Sequence, residues 1–432
     1  MSVSQIIIVL TLIAMLSGKV PLYLTAIVGA TISALAAGFP LTGDPAEGFV
    51  IAELLRAGLH GVILDMLGVL LFIGIMEKVG FLNSIIVMIM RFGRKIGGGP
   101  GVATLGGFAA GGLGAMTGFT QPAITAVIAG PPAVALGVDK NRVCATIGHA
   151  NTLGNFAGFT HPTQVAVVAT AGITFGMINV VGLIVGLSIL TTAFFRLRAI
   201  QKREKANIEA TSEASAENVA ALSEAENPFT SDVPFWKAII PFILLVIGFS
   251  MGLPIVLVGT FCGLVTVLMT TRNFIEAEKV MMHGLTRIIV PLLATFSFLY
   301  MSAVINANGL VPLVAYLLDG ALTAAPVMIM LLVAATAGFL TQSNAASMAI
   351  VIPVLSVVLY AGAPPLAAAV VAAGAPAIMQ LFLTGGPVAG LATVIPVMPG
   401  SDLKIANRFQ RPNLIVGLTV LAIAGIILER IG

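Results

Sequence analysis

The sequence predicts an all-α polytopic membrane protein made of two inverted repeats, each with transmembrane helices, a re-entrant hairpin and a broken helix. Three observations predict it. Only 9% of the 432 residues are charged and 58% are hydrophobic, whereas a soluble domain carries about 25% charged residues, so this chain cannot clothe itself in a water-compatible surface. Its apolar runs, among them Val180–Phe195, Ala238–Phe249 and Asn413–Leu428, approach the roughly 20 residues a helix needs to cross hydrocarbon. The third observation is an internal echo: landmarks on either side of one long hydrophilic stretch recur in the same order.

No segment alternates with period two, which excludes an outer-membrane barrel. The net charge of +3 and pI near 8.9 are what cytoplasmic loops alone bring to a membrane protein, and no nucleic-acid partner is expected. Cys144 and Cys262 lie far apart in apolar stretches, so neither a disulfide framework nor a metal cluster is implied. Met1–Leu16 lacks the basic flank and cleavage site of a signal peptide and reads as the first span.

The hydrophilic stretch divides the chain into a first repeat (1–195), a charged linker (196–235) and a second repeat (236–432). The linker opens with Arg196, Arg198, Lys202, Arg203 and Lys205, which places it in the cytoplasm of an inner-membrane protein by the positive-inside rule. Ala206–Ser231 is too polar to build a core and reads as flexible. Arg91, Arg94 and Lys95 read as a second basic loop. Around the linker, Glu53, Arg56, His60 and Gly61 recur at an offset of 223 as Glu276, Lys279, His283 and Gly284. Met76–Gly80 is echoed by Asn306–Gly309, and Thr120-Gln121 with Pro132 recurs at an offset of 221 as Thr341-Gln342 with Pro353. Phe159-Thr160-His161-Pro162 is answered by Leu383-Thr384-Gly385-Gly386-Pro387. With an odd number of spans in each half, the two repeats are inverted, and the binding site lies between them.

Each half contains two apolar regions rich in helix breakers. In the first half they are Gly106–Pro132, ending in Thr120-Gln121-Pro122, and Gly148–Pro162, with Asn151, Thr152, Asn155, Thr160 and His161. In the second they are Gly338–Pro353, with Thr341, Gln342, Ser343, Asn344 and Ser347, and Gly374–Pro387, with Gln380, Thr384, Gly385 and Gly386. Unwound backbone survives in a membrane only where protein or a water-filled cavity surrounds it. An interrupted helix offers amides at one tip, suited to a carboxylate, and carbonyls at the other, suited with side-chain oxygens to sodium. Substrate contacts are therefore expected from these polar residues, with sodium near Thr120, Asn151, Ser343, Asn344 and Thr384. The competing account is packing, since small residues and Ser/Thr are common where membrane helices touch.

Ionisable residues in spans are functional candidates by default. Here Asp65 reads as interfacial, Glu77-Lys78 as a helix end before Gly80, and Asp319-Gly320 as a loop. His161 stands where a helix should break and could relay a proton or bind a carboxylate. His149 is the weaker candidate of the two. His60 and His283 read as parts of interfacial scaffold helices. No His-Glu-x-x-His zinc pair, Gly-x-Ser-x-Gly elbow or Walker loop occurs, so the chain reads as neither an enzyme nor an ATP-driven pump.

The stretch Gly-Phe-Leu-Thr-Gln-Ser-Asn-Ala-Ala-Ser at Gly338–Ser347 resembles the second-half motif of lactate permeases. Asn151–Pro162, with the order of the broken segments, resembles the gluconate permease family. Both are grouped with the large membrane subunits of TRAP-type dicarboxylate carriers in the ion transporter superfamily. The resemblance implies a scaffold domain and a mobile transport domain working by an elevator movement. It also implies a small organic anion coupled to Na+ or H+, no further cofactor, and a homodimer in the lipid bilayer. It carries over hairpin tips at Thr120-Gln121-Pro122 and Thr341–Asn344, and broken-helix loops at Asn151–Pro162 and Gln380–Pro387. A cation/proton antiporter, or the membrane subunit of a binding-protein-dependent uptake system, would share this layout.

Overall fold

A computed structural model describes residues 1–17, 19–59, 62–117, 122–211, 231–270, 272–285, 289–317, 319–383 and 390–432. They form helices, with no strand among them. The first half runs α1 (Val3–Leu16), α2 (Leu22–Ala36), α3 (Ile51–Ala57), α4 (Val62–Lys78), α5 (Phe81–Gly97), α6 (Gly99–Thr117), α7 (Pro122–Ala135), α8 (Lys140–Gly148), α9 (Ala150–Ala157), α10 (Pro162–Ala171) and α11 (Met177–Thr211). The second runs α12 (Phe235–Ser250), α13 (Ile255–Met269), α14 (Phe274–Gly284), α15 (Ile289–Ala307), α16 (Leu310–Leu317), α17 (Asp319–Ala324), α18 (Pro326–Thr341), α19 (Asn344–Tyr360), α20 (Pro365–Met379), α21 (Gly390–Val394) and α22 (Leu403–Ile431).

Among the described residues, Met177–Glu204 and Leu403–Ile431 are long and apolar enough to cross a membrane. Two bent pairs join them if each is taken as one span: Leu67–Lys78 with Phe81–Gly97, bent by 76°, and Leu292–Ala307 with Leu310–Leu317, bent by 72°. Each bend follows a glycine in the left-handed region, Gly80 at φ 77° and Gly309 at φ 74°, a conformation that costs glycine nothing and other residues more than about 1 kcal/mol. Outward-facing Val28, Leu257, Phe261 and Ile423 are exposed, which in lipid carries no penalty. Composition, spans and exposed apolar faces together make this a multi-pass membrane protein.

The ends of the molecule are set by polar ties. At one end Lys140 Nζ donates to Pro399 O (3.4 Å), the Asp402 amide to Asn141 Oδ1 (2.5 Å), Arg142 to Glu204 (2.8 Å) and Gln201 Nε2 to Leu136 O (2.7 Å). Gly99 belongs there too, since a Cβ on it would lie 3.0 Å from Ala133 O and Leu136 O. The pair α6–α7 therefore begins and ends at this end. At the opposite end the Val327 amide donates to Glu429 Oε1 (3.4 Å) and Gly432 lies against Pro364, which is where α18–α19 begins and ends. The two helix hairpins therefore begin and end at opposite ends of α22.

Several expectations are corrected. The glycine run of Gly106–Gly114 does not break its helix; it lets neighbours approach, a Cβ on Gly107 falling 2.7 Å from Thr146 O and one on Gly111 2.7 Å from Leu153. Composition alone does not separate a break from close packing. Arg91, Arg94 and Lys95 lie in helix α5 rather than in a loop, Arg94 and Lys95 in its last turn, where cations favour the helix C-terminus. Asp319-Gly320 opens a short helix. Val3–Leu16, at 14 residues, falls short of a full span. The boundary at 195/196 lies inside α11, which continues to Thr211 because Arg and Lys are good helix formers whose stems can lie on apolar surface. Gly374 lies within helix α20, so the second broken region begins only after Met379. Glu77 and Lys78 are exposed at the end of α4, as expected.

Candidate functional site

The tip of the second hairpin is two residues long. Helix α18 ends at Thr341, whose hydroxyl donates to Ala337 O (2.7 Å) and can accept the Ser343 amide (3.3 Å). Gln342 turns the chain with φ 50°, a left-handed conformation uncommon for a residue with a Cβ. Ser343 then caps α19, its Oγ accepting the Ala346 amide (3.3 Å), the ordinary role of an N-cap serine. Ser347 folds back on the same turn, donating to Asn344 O (2.7 Å).

Asn344, buried at 4% exposure, ties this tip to two other interruptions. Its amide N–H donates to Gln380 Oε1 (3.0 Å), at the end of α20, and its Nδ2 donates to Thr163 Oγ1 (2.8 Å), in the first turn of α10. Thr163 in turn bonds His161 Nδ1 (2.7 Å). Gln380 Nε2 and Thr152 Oγ1 both donate to Ala377 O (3.2 and 3.3 Å). Next to His161, the Phe159 amide and the Thr160 hydroxyl reach Ala115 O (3.0 and 3.5 Å), near the inner end of the first hairpin. A polar chain thus runs from one hairpin across the break at Gly158–His161 to the other. It contains no acidic or basic side chain except the imidazole.

Three amides in this region are incompletely satisfied. Asn344 Oδ1, Gln342 Oε1 and both ends of the Gln164 amide are buried without a partner among the described residues. Turning the Asn344 amide over does not help, because its second position would still face no partner. An orphaned buried polar group costs about 1–3 kcal/mol, so each calls for a reason.

Of the residues expected to bind substrate, Thr152, Thr160, His161, Asn344 and Gln380 are brought together in this chain. Thr341, Ser343 and Ser347 shape the tip. Asn151 and Asn155 are buried one helical turn apart on α9, and Pro122, also buried, opens α7. Thr120, Gln121, Thr384, Gly385 and Gly386 lie outside the described residues, as do His60 and the side chain of Asp65.

The carbonyls freed at the two breaks are met by the spanning helix that follows each. Asn179, at the start of α11, donates through Nδ2 to Ala157 O (3.1 Å) and Gly158 O (3.0 Å), while its Oδ1 accepts the Gly176 amide (2.9 Å). At the second break Asn407 Nδ2 donates to Leu381 O (2.9 Å) and Arg411 Nε to Phe382 O (3.0 Å), both from α22.

Two solved structures are similar to this arrangement over most of its length. The YdaH transporter of Alcanivorax borkumensis superposes with a TM-score of 0.56 at 17% identity, covering 87% of this chain and 86% of its own. MtrF of Neisseria gonorrhoeae, described with a class of antimetabolite efflux pumps, superposes with a TM-score of 0.58 at 13% identity, covering 95% of each. The chain has the fold of membrane transporters. No protein-family model matches it and no curated protein matches it, so the likeness to lactate and gluconate permeases rests on the motifs alone. At these identities the shared property is the fold, and function has to be argued from the site.

A second polar cluster lies toward the end where α22 begins. His149, at the joint of α8 and α9, meets Asn413 through Nε2 (2.9 Å) and Gln410 through Nδ1 (3.4 Å). Arg196 donates through Nη1 to Asn413 Oδ1 and Phe409 O (both 2.6 Å) and lies over the Phe409 ring. Because Arg196 fixes Asn413 with its Nδ2 toward the imidazole, the ring accepts at Nε2 and a neutral ring donates at Nδ1. Gln410 must then present its oxygen to the ring. This cluster ties α8–α9, α11 and α22 together. Sequence reasoning passed over Thr163, Gln164, Asn179, Asn407, Gln410, Arg411 and Asn413. The one signal was the density of polar residues in Asn407-Arg408-Phe409-Gln410-Arg411-Pro412-Asn413, directly before a run taken as purely apolar.

Proposed function

We propose that this protein is a secondary transporter of a small organic anion, driven by a cation gradient, with the Asn344 crossing as its binding region. The observation that carries this reading is the convergence of a hairpin tip and two helix breaks on one buried asparagine whose carbonyl oxygen has no partner among the described residues. Such a site presents neutral oxygens: the amides of Asn344 and Gln342, hydroxyls of the tip, and carbonyls of unwound backbone. That donor set suits a hard monovalent cation such as sodium. A cation held there without a carboxylate ligand leaves its charge for the anionic substrate to neutralise, so each favours the binding of the other, which is coupling in its thermodynamic sense.

The shared fold supports transport, and the entry of the two hairpins from opposite ends supports an inverted-repeat carrier with access alternating around a central site. Glycine bends of 76° and 72° at corresponding places in the two halves suit connectors between a fixed scaffold and a moving domain. Sodium is favoured over a cation/proton exchange reading because the polar chain at the Asn344 crossing carries no Asp or Glu, and an exchanger needs a protonatable carboxylate in its path.

Thermal stabilisation of the purified full chain by lactate, gluconate and succinate, each in sodium and in potassium, tests the proposal. A ligand that binds the folded state raises its stability by mass action. A carboxylate shift larger in sodium than in potassium is expected. A shift from sodium or lithium alone would replace symport by cation exchange, and no shift from any combination would overturn the reading.

A further inference from the structure

We infer that Arg411 is the anchor for the substrate carboxylate, an inference that rests on the transporter reading and deepens it. Arg411 stands eight residues past Leu403 in α22, about 12 Å into the helix at 1.5 Å per residue. It stands two residues before the apolar run that starts at Asn413, where a half-buried cation is rarely left without a partner. No carboxylate lies in ion-pair range of it among the described residues. Its partners are instead Phe382 O and Asn407 Oδ1, 3.0 and 2.9 Å from Nε, and the Phe382 ring, whose centroid is 5.5 Å from Cζ.

These three contacts use one nitrogen and one face of the guanidinium. They fix its plane while leaving both terminal nitrogens without a hydrogen-bond partner among the described residues. Asn407 is itself anchored on Leu381 O, so the fork is held from both sides. A guanidinium positioned in this way offers two parallel N–H groups, the geometry that receives a carboxylate through two hydrogen bonds. Its place is also right: Phe382 follows Gln380 by two residues, and Gln380 bonds the Asn344 amide at the crossing. The carbonyl end of α20 carries partial negative charge, which lowers the cost of holding the cation there before the anion arrives.

The plainer account is that Arg411 only caps α20. The two accounts differ in what they say of the ligand's charge. The test uses the purified full chain and measures dissociation constants from thermal shifts for sodium lactate, gluconate and succinate, and for the corresponding neutral amides, in wild type, Arg411→Lys and Arg411→Gln. If Arg411 is the anchor, wild type binds an acid and not its amide. Arg411→Gln then binds that acid about ten- to a hundredfold more weakly, the worth of one charge-assisted bidentate pair, and Arg411→Lys lies between. The shift produced by sodium alone persists in both variants. Equal binding of acid and amide by wild type overturns the inference without any variant having to fold. So does an unchanged acid constant in Arg411→Gln, and there sodium-dependent acid binding would leave the transporter reading standing. Absence of any carboxylate or sodium shift in wild type sinks both.

Discussion

The break after Ala157 and the break after Met379 free carbonyls in comparable places, and each is met by the next spanning helix, α11 or α22. At the first, Asn179 spends both amide protons on Ala157 O and Gly158 O and its oxygen on the Gly176 amide, so the cap is saturated. At the second, Asn407 and Arg411 meet Leu381 O and Phe382 O, and the guanidinium retains donors that these carbonyls do not use. A saturated cap can only hold the backbone. An unsaturated one of opposite charge to a carboxylate can also hold a ligand. In the proposed transporter the Asn179 cap therefore serves the stability of the fold, while the Asn407–Arg411 cap can also serve the ligand.

The largest effect expected from this contrast is on stability. Asn179→Ala strands two carbonyls and one amide, each worth about 1–3 kcal/mol when buried unpaired, and should lower unfolding stability by about 3 kcal/mol or more. The apparent melting temperature in detergent should fall, while whatever ligand response remains should keep its dissociation constant. A variant with wild-type melting and altered ligand affinity would reverse the roles of the two breaks.

Asn344→Ala is the converse experiment. It removes the link to Thr163 and the orphaned oxygen, so it should weaken sodium-dependent ligand binding by about 2–3 kcal/mol, roughly 30- to 150-fold. The melting temperature without ligand should change little, because removing a buried oxygen that has no partner among the described residues offsets the lost bond to Thr163. Uptake into proteoliposomes gives the second readout. Full uptake by this variant would remove the crossing from consideration as the site. A smaller change is expected one bond further away: Thr163→Val should cost about 1 kcal/mol of ligand binding by severing His161 from Asn344, with Thr163→Ser restoring most of it.

What the sequence made legible and what it hid follow from the range of the interactions concerned. The tips and breaks could be read because they are local: Thr341-Gln342-Ser343-Asn344 interrupts an apolar run, and Gly158–Pro162 combines a glycine, a histidine and a proline within five residues. Helical periodicity could not reveal the caps. Asn179, Asn407 and Arg411 act on residues 21 to 29 positions away, and nothing in their own surroundings marks them. The glycines of Gly106–Gly114 misled for the same reason, since their meaning lies in Thr146 and Leu153 on a neighbouring helix. The echo between Met76–Gly80 and Asn306–Gly309 was readable, and both glycines prove to be left-handed bends. His149 sits in the same stretch as Asn151 and Asn155, yet its ring is turned to Asn413 and Gln410, a direction set by α22.

The smallest expected effect separates strain from function at the hairpin tip. Gln342 pays for its φ of 50° with about 1 kcal/mol that glycine would not lose, and its side-chain oxygen is buried without a partner. Gln342→Gly relieves both costs, so the ligand-free protein should melt slightly higher than wild type. If that oxygen is one of the neutral donors around sodium, the stabilisation by sodium should shrink in the same variant. Higher melting with an undiminished sodium response would make the strained glutamine a feature of the turn alone and confine the cation to Asn344 and the backbone. Strain kept at a position where glycine would be cheaper, beside an oxygen with no partner among the described residues, is otherwise difficult to account for.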